Sequence, residues 1–260
     1  MIEQSILTGG AKGKESMIRS SALINLIHDA VKYELQQQGL APANIYPHFH
    51  QTKPEIKLAG FLKQKDQDVC VIPSNIPKAP LTINWGPMAF QNKRDLYGHE
   101  YSTNTLVINV RSQMSSLAKN ADTLFERTFA EALNLHMRYP EMVLGEVYLI
   151  PTHEYDDAEV AHNRVAFKRH QTDIEKYISF FNSINNRAIG DQPYMYERCA
   201  LLVVDFNSAQ PRLFRNSAEL KAAGLISQNF QIEYATLGFD TFAEDILRIY
   251  GERYNINNLK

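Results

Sequence analysis

Two apolar runs, residues 105–110 (TLVINV) and 143–150 (VLGEVYLI), bracket a segment, 123–137, whose apolar side chains recur every three or four positions. Leu124, Phe125, Phe129, Ala132, Leu133 and His136 mark one face of that helix. A strand, a helix and a second strand, each with a face to bury, are stable only as packed layers. Residues 199–206 (CALLVVDF) repeat the strand signal. Shorter extended runs fall at 45–50, 56–62, 69–72 and 211–215. Helical spacing also marks 15–38, 173–184, 217–223 and 241–252. In the first of these, Met17, Leu23, Ile24, Ile27, Ala30, Val31 and Leu35 line up before Gly39 and Pro42 close the run. Strands interleaved with helices predict an α/β fold, a mixed β-sheet flanked by helices.

Two stretches read differently. Residues 1–14 (MIEQSILTGGAKGK) read as a flexible lead-in. Residues 73–104, with Pro73, Pro77, Pro80, Pro87 and the only tryptophan, Trp85, read as a long ordered insertion with one short strand. No repeat or linker divides the 260 residues, so a single elaborated domain over 1–260 is expected.

Composition narrows the function. The chain carries 27 Lys and Arg against 29 Asp and Glu, a formal charge of -2, which argues against a uniformly basic coat for nucleic acid but leaves room for a local patch. Its two cysteines, Cys70 and Cys199, are far apart and form no zinc or disulfide pattern. No apolar run approaches the ~18 residues of a membrane span, and no signal-peptide core is present. A cytoplasmic protein with no membrane partner is expected.

Three features suit metal-assisted phosphodiester chemistry. Lys65-Asp66-Gln67-Asp68 precedes the strand Val69–Ile72, placing a carboxylate at a strand edge, where hard divalent cations find oxygen ligands. Asp68 abuts the strand, and Asp66 shares its face two residues away. Along 108–113, Asn109, Arg111 and Gln113 share one face of a strand, and three polar groups in a row need hydrogen-bonding partners or a ligand. On the following helix, Glu126 lies near the start, while Arg127 and Glu131 form an i,i+4 pair suited to a solvated face.

Taken together, these residues resemble the PD-(D/E)XK nuclease superfamily, and in particular type II restriction endonucleases. The resemblance covers roughly residues 15–152: helix, strand, Asp-bearing strand, strand with a polar-x-basic element, helix, strand. It implies a restriction-endonuclease-like sheet, Asp68 and a second acidic group binding one or two Mg²⁺ ions, and a basic residue contacting the attacking water. Asn109 stands where the family has Glu, and Arg111 where it has Lys. The resemblance then implies a carboxylate migrated to the following helix, Glu126, with Gln113 as an alternative water-orienting group. It further implies cleavage of double-stranded DNA by a homodimer, residues 153–260 serving recognition or dimerisation.

Candidate phosphate contacts are Lys12, Lys14, Arg19, Lys119, Lys168 and Arg169, with Asn163 and Arg164 as candidate base readers. The GGAKGK segment lacks the phosphate-loop pattern. His48 with His50 lacks a third metal ligand, and His153-Glu154 is no metalloprotease motif. A nuclease-fold DNA-binding protein without cleavage, and a small-molecule enzyme on an unrelated α/β scaffold, are the rival readings.

Overall fold

The computed structural model describes residues 1–208 and 210–260. In chain order it contains α1 (Ile2–Arg19), α2 (Ser21–Gln37), β1 (Ile45–Tyr46), β2 (Ile56–Ala59), β3 (Gln64–Gln67), β4 (Val69–Val71), β5 (Leu81–Thr82), β6 (Arg94–Asp95) and α3 (His99–Thr103). There follow β7 (Leu106–Ser112), α4 (Leu117–His136), β8 (Leu144–Pro151), β9 (His153–Tyr155), α5 (Asp157–Ala161), β10 (Phe167–Gln171) and α6 (Ile174–Ser183). The chain ends with β11 (Arg198–Asp205), β12 (Arg212–Leu213), α7 (Ser217–Ala222) and α8 (Phe242–Arg253).

The most apolar runs form the centre of a mixed six-stranded sheet in the order β1-β4-β7-β8-β11-β12. Strands β7, β8 and β11 are mutually parallel, and β1, β4 and β12 run antiparallel to their neighbours. Parallel strands need both faces covered, which explains why 105–110, 143–150 and 199–206 are apolar in nearly every position. One face packs Val69, Ile108, Val110, Val147 and Ala200 under Ile27, Val31 and Leu35 of α2 and Phe242, Ile246 and Tyr250 of α8. The other packs Cys70, Val107, Leu144, Tyr148 and Leu201 under Ala121, Ala132 and Leu135 of α4 and Tyr177, Ile178 and Phe181 of α6.

Several local expectations are corrected. The lead-in is helical: α1 runs from Ile2, kinked at Gly10, whose φ of 53° only glycine adopts readily. Its helical period was broken by that kink. The run 15–38 is two helices, because Ser20 is extended (φ -70°, ψ 150°). The insertion 73–104 holds two short strands, β5 and β6, and the helix α3. Strand β3 went unread because Gln64-Lys65-Asp66-Gln67 has no apolar alternation; it pairs with β2 in a separate hairpin. Among the described residues, no helix is long and apolar enough to cross a membrane.

Candidate active site

The site grows from a change of direction. At Asp68 the chain leaves the β2–β3 hairpin and enters β4 in the main sheet. Continuing the pairing Val69↔Ile108 by one residue sets Asp68 opposite Asn109. There the Asp68 Oδ2 accepts a hydrogen bond from the Val110 backbone N–H at 2.9 Å, one step past the paired stretch. On the other side of β7, Asn109 lies directly opposite Glu146 of β8. Three oxygen-bearing side chains, Asp68, Asn109 and Glu146, thus belong to one row across three adjacent strands.

Two of the three are fully enclosed. Asn109 is 1% exposed and Glu146 0%. Both amide atoms of Asn109 and the Oε2 of Glu146 are buried without a protein hydrogen-bond partner. Such groups are costly unless something binds them. Burial pushes the Glu146 carboxyl up to about 7 against the opposing pull of the Arg111 charge, with Glu131 and Asp68 adding to the rise.

Arg111, two residues beyond Asn109, closes the row toward solvent. Its Nε donates to Glu146 Oε1 at 3.0 Å, and its Nη2 donates to Glu131 on α4. Lys65 of β3 donates to the same Glu131 Oε2 at 2.6 Å. Burial would raise the Glu131 carboxyl, but Arg111 and Lys65 hold it below the ordinary carboxylate range. From α2, the His28 Nε2 is buried and unpartnered; burial lowers this imidazole while the Asp68 charge raises it. A cavity of about 410 Å³ opens onto Arg111, Ser112 and Tyr148, with Arg19, Ser20 and Ser21 on its rim. A second, of about 400 Å³, shares Ile18 and Arg19 and extends to Lys14 and Ser116. The carboxyl end of β7 therefore faces a groove, the usual ligand position in open α/β sheets.

The expected residues divide. Asp68, Asn109 and Arg111 come together. Asp66 does not join them; it sits on β3 across from Lys57, 3.5 Å away. Gln113 is buried and fully engaged: its Oε1 accepts from the hydroxyls of Tyr148 and Tyr177, and its Nε2 donates to the carbonyls of Ser116 and Leu117. No free group remains to orient a water. Glu126 is exposed on α4, and the carboxylate meeting Arg111 is Glu131. Five residues along a helix rotate a side chain by about 140°, so the two cannot share a site. Glu131 is therefore no solvated i,i+4 partner of Arg127. Glu146 was missed, although a lone Glu inside VLGEVYLI, flanked by apolar residues on both faces, is itself a signal.

The basic candidates also divide. Lys14 donates to Asp157 at 2.5 Å, Arg19 pairs with Glu15 at 2.7 Å, Arg164 with Glu159 at 2.5 Å, and Lys168 with Glu154 and Asp157 at 3.3 and 3.5 Å. Lys12, Lys119 and Arg169 are exposed and carry no ion pair among the described residues. The amide oxygen of Asn163 lies against Gly10, where a Cβ would approach it to 2.5 Å. Asn163 is nonetheless exposed, beside the α1 kink.

Oxygen donors of this kind suit a hard divalent cation. Among the described residues no three His, Cys, Asp or Glu side chains are grouped to hold a metal ion. The available set is two carboxylates and an amide, and its unpartnered oxygens fit such an ion. Comparison with family models, curated proteins and solved structures finds no match for this chain.

Proposed function

We propose that the protein is a Mg²⁺-dependent endonuclease hydrolysing phosphodiester bonds in double-stranded DNA, on a sheet of the restriction-endonuclease type. One observation carries this reading. The chain order helix, strand, Asp-bearing strand, polar-x-basic strand, helix, strand is α2, β1, β4, β7, α4, β8, and those four strands are neighbours in the sheet. Its centre holds Asp68 and Asn109, with Arg111 at the groove.

In this reading Asp68 and the Asn109 amide oxygen would hold the cation. When bound, such an ion neutralises charge on the phosphate and lowers the pKa of a bound water. Arg111, whose guanidinium stays charged beside Glu146 and Glu131, stabilises negative charge building on the nonbridging oxygens. It cannot accept a proton, so it is not the base. Arg19, with Ser20 and Ser21 at the groove's rim, would grip the backbone. A homodimer on a palindromic site, with residues 153–260 supplying recognition or subunit contacts, completes the reading.

Supercoiled plasmid incubated with the protein and Mg²⁺ should yield discrete fragments that vanish with chelator. Asp68→Ala should abolish cutting while a gel shift in Ca²⁺ persists. A wild-type protein that shifts duplex without cutting it in Mg²⁺ would make this a DNA-binding protein on the same scaffold and overturn the enzyme.

A further inference from the structure

The orphaned atoms beneath Arg111 point further than the residues named so far. Glu146 and Asn109 face each other across β8 and β7, both enclosed, with one carboxylate oxygen and both amide atoms unpartnered. A row of apolar side chains would be cheaper here, among neighbours such as Val107, Leu144 and Leu201. The Arg111 guanidinium satisfies only Glu146 Oε1 and leaves Oε2 free. The Asp68 carboxylate is fixed at the same row through one oxygen.

We propose that Glu146 is the missing acidic ligand: Asp68, Asn109 and Glu146, one from each of three adjacent strands, form a site for a hard divalent cation. The cation takes the free Oε2 of Glu146 while Arg111 keeps Oε1. The second carboxylate thus comes from the strand after the crossover helix and not from the helix itself. Asn109 supplies a neutral oxygen between two carboxylates, which limits the charge left to repel when no ion is bound. The inference takes from the nuclease reading only the identity of the ligand as a divalent cation.

Titration calorimetry with Mn²⁺ and with Mg²⁺ on the full chain, without DNA, tests it. Wild type should bind the ion, and Glu146→Gln should weaken binding by on the order of tenfold or more. Asn109→Asp should tighten it, because a third anionic oxygen raises affinity for a hard cation. That gain keeps the test decisive should Glu146→Gln fold poorly, since a merely structural Asn109 predicts no tightening. Absence of ion binding by wild type overturns the site. So does loss of binding in Glu126→Gln with Glu146→Gln unaffected. The two proposals fail separately: ion binding that depends on Glu146 in a protein that never cuts DNA sinks the nuclease alone. Mg²⁺-dependent cutting with ion affinity unchanged in Glu146→Gln and Asn109→Asp sinks this site alone.

Discussion

Arg111 is held from two sides, by Glu131 on a helix and by Glu146 on a strand, and the two carboxylates behave differently. Glu131 is partly exposed and has Lys65 as a second partner, so its charge is favoured; Glu146 is enclosed, and burial wins. Because Glu146 titrates near 7 in the fold and near 4.5 in the unfolded chain, the folded state holds the extra proton between those values. Stability then falls as pH rises through that window. Glu146→Gln removes the slope. In metal-free buffer its melting temperature should gain on wild type between pH 4.5 and 8 by at least about 2–4 °C, the shift that ~1 kcal/mol produces in a chain of this size. Parallel melting curves at all pH values would refute the assignment. For cleavage, Glu131→Gln should cost on the order of 10²-fold by loosening Arg111, whereas Glu126→Gln should leave the rate within a factor of about two; the ratio is read from initial rates on plasmid. Asp68 and Arg111 were legible because a charge beside an apolar strand is conspicuous. The choice between Glu126 and Glu131 was not, because spacing along a helix gives no azimuth until its buried side is known.

The site is aimed by a piece of structure the sequence hid. The β2–β3 turn grips the C-terminal end of α4 through one side chain: Asn134 Oδ1 accepts from the backbone of Leu62 and Lys63, at 2.7 and 3.1 Å, and its Nδ2 donates to the Lys63 carbonyl. Gly60 permits the approach, since a Cβ there would meet Asn134 at 2.2 Å. One turn earlier on α4, Glu131 receives Lys65 from the same hairpin. Asn134→Ala should therefore cost about 1–3 kcal/mol, the usual penalty for stranding buried donors and acceptors, and urea denaturation measures it. A loss below about 0.5 kcal/mol would mean the hairpin docks by other contacts. The long strands and α4 were readable because each buries a periodic apolar face. The hairpin was only half so: β2 falls in the extended run 56–62, but β3 is polar throughout, and the Asn134 contact that docks the turn comes from a residue far along the chain. The kinked α1 hid for the same reason, its glycine accommodated by Val160 and Asn163 of a later segment.

Across the whole molecule the buried charges oppose one another. Behind the β8–β11 pair, Glu197 is enclosed with Arg187 and Arg253, each at 2.8 Å, and His136 at 3.3 Å. Burial raises its carboxyl, but the His136 hydrogen bond and the charges of His136, Arg253 and Arg187 outweigh that and hold it at about 2. Its stabilisation is present above pH 4.5 and is lost as pH falls toward 2, the reverse of Glu146. Glu197→Ala should cost ~3–5 kcal/mol at pH 7 by leaving two guanidiniums buried, and less as the pH drops.

A net charge of -2 gives no general attraction for a polyanion, so the proposed duplex binding requires a local arrangement. The groove over Arg111 supplies one. Arg19 borders both of its cavities, is 77% exposed, and is tied only to Glu15 on its own helix, a surface pair that a phosphate can replace. Each phosphate neutralised releases counterions and steepens the dependence of affinity on salt. Arg19→Ala should weaken duplex binding in Ca²⁺ and reduce the slope of log Kd against log salt by about 1. Arg248→Ala removes another exposed i,i+4 arginine, one that lines neither cavity, and it should change neither. Gel-shift titrations from low to physiological salt measure both slopes. Equal slopes for wild type and Arg19→Ala would place the duplex somewhere other than over Arg111, and cleavage would then need another face of the sheet.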